Sequence, residues 1–97
     1  MKSVLITYDQ AHHDGVTEIL KSSLCRGYTL FPNVGGCGTV KGEPHLGSHA
    51  WPAMNGAIIT VCDDERVQPL LDRLHQLDVD NPLLGLRAFV WNIEQTI

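Results

Sequence analysis

Basic residues are scarce in this 97-residue chain, which has seven Lys and Arg against eleven Asp and Glu. Nucleic-acid binding needs clustered Lys and Arg to neutralise phosphates, so the scattered basic residues and the net charge of −4 argue against it. No apolar run approaches the roughly 20 residues that a membrane-spanning helix needs. The N-terminal apolar run, residues 4–6, is too short for the core of a signal peptide. A cytoplasmic protein is therefore expected.

Cysteine is also scarce. The three cysteines are an odd number without C-x-x-C spacing, which argues against a disulfide framework. Cys25 and Cys62 fall at a predicted helix end and a predicted strand end, where we expect them to be small buried residues.

Four short apolar or β-branched runs predict strands at residues 3–8, 28–34, 57–62 and 86–93. Pro32 should place its strand at a sheet edge or at an irregularity. Asp14 is expected to cap a helix after the first strand. Apolar residues at helical spacing predict that helix and another before the last strand; the two stripes are Val16, Ile19, Leu20 and Leu24, and Val67, Leu70, Leu71, Leu74 and Leu77.

The resulting order, β-α-β-loop-β-α-β, is that of an α+β, ferredoxin-like βαββαβ fold. It predicts a four-stranded antiparallel sheet with both helices on one face and a long loop between strands 2 and 3. We expect residues 1–97 to form a single domain.

The loop at residues 35–52 holds five of the nine glycines, two of the five histidines and one cysteine. So long a loop in a small domain is usually functional or disordered. Cys37, His45 and His49 are ligand types that suit Zn²⁺, Cu⁺ or Ni²⁺. The alternative is that both histidines are exposed loop residues and Cys37 packs beneath the loop. His12 and His13, before the first helix, are expected to be surface residues that face solvent or cap the helix.

No catalytic pair is indicated. Ser48 and His49 are adjacent in sequence and cannot form a nucleophile–base pair by local geometry alone. The carboxylates at predicted caps and turns are explained by local backbone chemistry; they are Asp63, Asp64, Asp78 and Asp80. An enzyme is not expected.

The base of the loop resembles a motif of the P-II signalling proteins and their P-II-like relatives, G-x-G-x-Q-K-G. In this chain it reads Gly36-Cys37-Gly38-Thr39-Val40-Lys41-Gly42. The strand order, the loop position and the last strand also fit, so the resemblance spans nearly the whole chain. It implies a homotrimer whose T-loop lies at about residues 36–54 and whose small effector binds near the cleft between subunits. Residues that the resemblance places at this cleft are Gly36, Gly38, Lys41 and Arg87.

Two departures from the family pattern count against ordinary ATP and 2-oxoglutarate binding. Val40 stands where the family has a glutamine that contacts the nucleotide base. The family's phosphate-holding T-G-x-x-G-D-G-K segment is reduced to residues 81–87, where Arg87 is the stand-in for its lysine. The effector is therefore left open between a nucleotide and a transition metal.

The resemblance also implies a partner that is regulated through the loop. Residues 42–52 are similar to the loops of divergent P-II-like branches associated with membrane transporters, including heavy-metal efflux systems. Glu43 and Trp51 are the predicted partner contacts, although Trp51 could instead anchor the loop against a neighbouring subunit. The alternative function is a metal-binding or metal-tolerance protein of CutA-like architecture that uses Cys37, His45 and His49. A third is an oligomeric scaffold without a small ligand.

Overall fold

The computed structural model describes residues 1–25, 27–36, 54–83 and 85–97. Its strands are β1 (Lys2–Asp9), β2 (Tyr28–Val34), β3 (Asn55–Cys62) and β4 (Arg87–Asn92), and its α-helices are α1 (His13–Ser22) and α2 (Asp64–Asp80). A short 3₁₀ turn, Gln10–His12, leads into α1. The four predicted strands and the two predicted helices are confirmed.

The strands form one antiparallel sheet in the order β2-β3-β1-β4, which is that of a ferredoxin-like α+β fold. Strand β2 lies at one edge and its pairing with β3 shifts register between Phe31 and Val34. Within that shift, Asn33 has a positive φ of 57°. Pro32 therefore lies both at an edge and at an irregularity, because a proline cannot donate a hydrogen bond to a continuous ladder.

Both helices pack on one face of this sheet. Side chains alternate between the two faces of a strand, so every second residue of the central strands joins the core. The buried cluster combines one face of β1 and β3 with the apolar stripes of both helices; its members include Val4, Ile6, Tyr8, Ile58, Val16, Leu20, Val67, Leu70 and Leu74. The core thus leaves the other face of the sheet without a covering layer among the described residues.

The predicted stripe of α1 is wrong at its last member, Leu24. The helix ends at Ser22, and Leu24 is 57% exposed with a φ of 60°. The backbone N–H groups of Leu24 and Cys25 donate to carbonyls of the last helical turn, at 3.2 and 2.8 Å. This is a Schellman termination, in which a left-handed residue turns the chain away from the helix axis.

The prediction that Asp14 caps the first helix is also wrong. Asp14 lies inside the first turn of α1, which has no side-chain cap. Asp9 starts the preceding 3₁₀ turn instead, because its carboxylate accepts a hydrogen bond from the Ala11 N–H at 2.8 Å. The cap lies five residues earlier than predicted because the 3₁₀ turn precedes the α-helix.

Candidate functional site

The two ends of the long connection between β2 and β3 lie side by side. Val34, the last residue of β2, pairs with Asn55, the first residue of β3. Asp9, the last residue of β1, is the cross-strand partner of the same Asn55. Three strand ends therefore meet at this end of the sheet, which we call the loop base.

Gly36 enters the loop base at a place where only glycine fits the present geometry. A Cβ atom at this position would lie 2.8 Å from Nδ2 of Asn55. Asn55 is itself buried, so its amide cannot swing freely into solvent. The first glycine of the predicted motif is thus explained by close packing against the opposite strand.

Tyr8 spans the helix side of the loop base. Its ring passes over Gly56, where an added Cβ would lie 2.7 Å from the ring. Its Oη is 2.8 Å from Nδ1 of His13 in the first turn of α1. Burial raises the pKa of the Tyr8 hydroxyl above its ordinary value, and the nearby Tyr28 adds to the effect. A cavity of about 150 Å³ lies beside this pair.

The prediction that His12 and His13 face solvent is corrected by these contacts. His13 is partly buried against Tyr8. His12 is buried, and its Nε2 atom has no hydrogen-bond partner within the described residues. Sequence reasoning missed both because adjacent histidines before a helix look like surface residues. The usable signal was the position of Tyr8, which shares the inward face of β1 with Val4 and Ile6.

Arg87 begins β4 and also lies at this end of the sheet, because it pairs with Thr7 near the end of β1. Its Nη1 donates to the Leu86 carbonyl at 2.6 Å and lies 3.4 Å from a carboxylate oxygen of Asp78 in α2. Strands β2 and β4 are the two edges of the sheet, about 14 Å apart at three strand spacings. Gly36 and Arg87 of one chain are therefore not brought together in one pocket.

The remaining predicted site residues lie outside the described residues: Cys37, Gly38, Lys41, Glu43, His45, His49 and Trp51. Within the described ranges, no group of three or more His, Cys, Asp and Glu side chains is placed to hold a metal ion. The predicted metal site on the loop therefore stays a prediction.

The sheet face opposite the helices carries a patch of exposed large apolar side chains. Phe31, Val61, Phe89 and Trp91 are each between 45% and 55% exposed. Cross-strand pairing places them on one face. Val61 and Trp91 both pair with Ser3, and the half-buried Leu5 pairs with Phe89. Phe31 pairs with Ala57, the partner of Thr7, which lies on the same face as Ser3 and Leu5. Contiguous apolar patches of this kind mark interaction surfaces. We call these residues the open-face patch.

Cys25 and Cys62 are buried free thiols, as expected from the sequence. Burial, followed by the neighbouring Cys25 thiol, raises the pKa of Cys62 to about 11. Neither helix in the described part of the chain is long and apolar enough to cross a bilayer.

The model of the nitrogen regulatory protein P-II family matches residues 1–97. The chain belongs to the P-II family. Members of this family are typically homotrimeric and generally non-enzymatic signalling proteins. The predicted family is thus confirmed.

Solved structures agree with this assignment. The PII-like protein CPII from Thiomonas intermedia K12, bound to ADP, AMP and bicarbonate, is 24% identical, with a TM-score of 0.79 over 95% of this chain and 84% of that one. CPII bound to ADP and bicarbonate is 25% identical, with a TM-score of 0.77 and the same coverage. A candidate PII-like signaling protein from Thermus thermophilus is 25% identical, with a TM-score of 0.68 over 95% of this chain and 85% of that one. A comparison with curated protein sequences finds no match.

Proposed function

We propose that this P-II-like protein is a non-enzymatic, homotrimeric regulator that acts in the cytoplasm. A small effector binds in the cleft between subunits at the loop base and changes the state of the loop. A partner, which we propose is a membrane transporter, responds to that change through Glu43 and Trp51. The observation that carries the proposal is the meeting of three strand ends at the loop base, where a bound ligand contacts both ends of the loop.

The trimer is supported by the open-face patch. Phe89 and Trp91 expose about half of their surface on a sheet face that has no covering layer among the described residues. Burial of apolar area at roughly 25 cal/mol per Å² favours covering such a face with further copies of the chain. The separation of Gly36 and Arg87 supports the same conclusion, because a site that uses both needs Gly36 from one subunit and Arg87 from another.

The proposed ligand is an adenine nucleotide, with bicarbonate as a second ligand to be tested beside it. This extends to the present chain what CPII binds in its structure with ADP and bicarbonate. Lys41, Arg87 and the backbone N–H groups of residues 36–38 are the groups proposed to meet the phosphates, since oxyanions favour converging cations and N–H donors. The loss of the base-contacting glutamine at Val40 predicts weaker binding than that of family members that retain it.

Regulation requires an effector whose affinity differs between the states of the loop. The Asp9–Asn55 pair and the Gln10 N–H, which donates to the Met54 carbonyl at 2.9 Å, tie the returning end of the loop to β1. A ligand that displaces Asn55 would change these contacts and, through them, the position of the returning end of the loop. The nucleotide therefore need not touch the partner itself.

Calorimetric titration with ADP, AMP and ATP, each with and without bicarbonate, tests the proposal. We expect saturable nucleotide binding and a melting temperature that rises with nucleotide concentration. Arg87→Ala should abolish both effects. Lys2→Ala is the matched control. It also removes one positive charge, but at the opposite end of β1.

If no nucleotide binds, the proposed nucleotide effector is wrong, and the same measurements are then made with Zn²⁺ and Cu⁺. If Zn²⁺ or Cu⁺ alone raises the melting temperature, and His45→Ala or His49→Ala removes the effect, the metal-binding alternative replaces it. If neither class of ligand acts, the chain is an oligomeric scaffold.

A further inference from the structure

A second polar groove lies at the end of the molecule opposite the loop base. It is formed where the C-terminal end of α1 meets the first half of α2, and its volume is about 250 Å³. Strand β3 ends at Cys62, directly before the N-terminal end of α2, and Cys62 pairs with Lys2 at the start of β1, so the groove lies far from the loop base. The groove is lined by Ser22, Ser23, Glu65, Arg66 and Arg73, among others.

Two arginines of α2 converge on this groove. Arg66 and Arg73 are seven residues apart, which is about two helical turns, so both lie on the side of α2 that faces the end of α1. This concentration is notable in a chain with only seven Lys and Arg and a net charge of −4.

Arg73 is held in position by α1. Its Nη1 donates to the hydroxyl oxygens of Ser22 and Ser23, at 2.5 and 3.4 Å. The Ser22 hydroxyl in turn donates to the Ile19 carbonyl at 3.2 Å. No hydrogen bond from Nε or Nη2 of Arg73 is found in the described part of the chain, so the fixed guanidinium keeps donors for a ligand.

Arg66 is half-buried, yet within the described ranges its guanidinium makes neither a hydrogen bond nor an ion pair. Two acids of α2 are engaged elsewhere. The Asp64 carboxylate pairs with the Met1 amine at 2.7 Å, and Asp72 accepts a hydrogen bond from Gln68 at 2.8 Å. A guanidinium that is partly desolvated and unpaired favours an external anion.

We propose that this groove binds the phosphoryl group of a small phosphate compound between Arg66 and Arg73. A phosphate has more than two oxygens and two charges, so it satisfies both guanidinium groups and the Ser23 hydroxyl at once. Glu65 lines the same groove and its carboxylate repels any anion, so binding relies on the two guanidinium groups, whose combined attraction grows with the charge of the ligand. The site is independent of the effector site at the loop base.

Titration with inorganic phosphate and pyrophosphate at constant ionic strength tests the proposal, with side-chain NMR signals of the arginines as the readout. We expect saturable shifts at Arg66 and Arg73, with pyrophosphate binding at least fivefold more tightly than phosphate. Arg66→Gln should weaken pyrophosphate binding at least tenfold. Because Arg66 has no internal partner within the described ranges, this variant should keep the melting temperature of the unliganded protein. Lys21→Gln, which removes one charge elsewhere on α1, should bind as the wild type does.

The proposal is overturned if the Arg66 signal shows no saturable shift, or if Arg66→Gln binds pyrophosphate as tightly as the wild type. A second arm separates this site from the effector site. If ADP binding is lost in Arg87→Ala but kept in Arg66→Gln, while pyrophosphate behaves in the opposite way, the two sites are distinct. If every anion follows Arg87 alone, the groove is not a phosphate site.

Discussion

Leu24 is held in the left-handed region of backbone space directly after α1, with a φ of 60°. For a residue with a Cβ atom, this conformation costs about 1–2 kcal/mol, whereas glycine adopts it freely. Leu24 is tolerated there because its N–H and that of Cys25 both satisfy helix-end carbonyls. The strain is therefore a local cost of ending the helix sharply.

Leu24→Gly should raise the free energy of unfolding relative to Leu24→Ala by about 1 kcal/mol, because both variants lose the side chain but only glycine relieves the backbone. Urea denaturation of the two variants measures the difference. Equal stability of the two would mean that φ at this position is not positive in solution.

Cys62 makes stability depend on pH on the alkaline side. Its pKa is about 11 in the folded protein, above its ordinary value of 9.0, so the folded state holds the proton more tightly. The stabilisation is complete below pH 9 and should be lost as the pH rises from 9 to 11, because the unfolded thiol ionises first.

Urea denaturation at about pH 8 and about pH 10.5, on either side of the ordinary thiol pKa, checks this prediction. The fall in unfolding free energy between the two pH values should be smaller in Cys62→Ala than in the wild type. Tyr8, whose pKa is also raised, contributes a fall of the same sign in both proteins. An identical fall in the two proteins would contradict the assignment to Cys62.

At the scale of elements, the Tyr8 side chain of β1 packs over Gly56 of β3 and contacts His13 of α1. The missing side chain of Gly56 leaves room for the buried ring, and the ring reaches His13 on the helix. A strand, its neighbour and a helix are thereby joined at the loop base through one aromatic residue.

Gly56→Ala should lower the free energy of unfolding by about 2 kcal/mol, since the new methyl would overlap the buried ring and force a backbone or rotamer shift. Thermal or urea denaturation measures the loss. Gly27→Ala is the matched control: a Cβ there meets nothing within 4 Å and should be nearly neutral. The Tyr8→Leu background should reduce the penalty at Gly56; a penalty that persists unchanged would show that the clash is not with Tyr8.

At the scale of the whole molecule, the open-face patch decides the assembly. Phe89→Glu or Trp91→Glu places a charge where the proposed trimer buries apolar surface, and an unpaired buried charge is strongly unfavourable. Light scattering after size exclusion should give a trimer for the wild type and smaller species for these variants.

Leu83→Glu is the control for this experiment, because Leu83 is 82% exposed and lies outside the sheet. It should leave the trimer intact. A monomeric wild type, or trimers that survive both patch substitutions, would rule out assembly through this face.

The order of elements and the composition of their faces were predictable from the sequence. Strand alternation at residues 57–62 and helical spacing from Val67 to Leu77 are local patterns that repeat with the geometry of the backbone. Such patterns determined the βαββαβ order, and the motif at Gly36 with its loop position indicated the P-II family. The helix stop at Leu24 was not predictable, because an apolar residue at helical spacing carries no signal of a left-handed backbone.

Only the tertiary structure decided the contacts between residues that are distant in sequence. The pairing of Asn55 with both Asp9 and Val34, the contact of Tyr8 with Gly56, and the placement of Arg66 and Arg73 in one groove depend on how the elements pack. A period in the sequence specifies which face a residue occupies, because that follows from the local backbone alone. It does not specify which face of another element lies opposite, because that depends on the packing of the whole core.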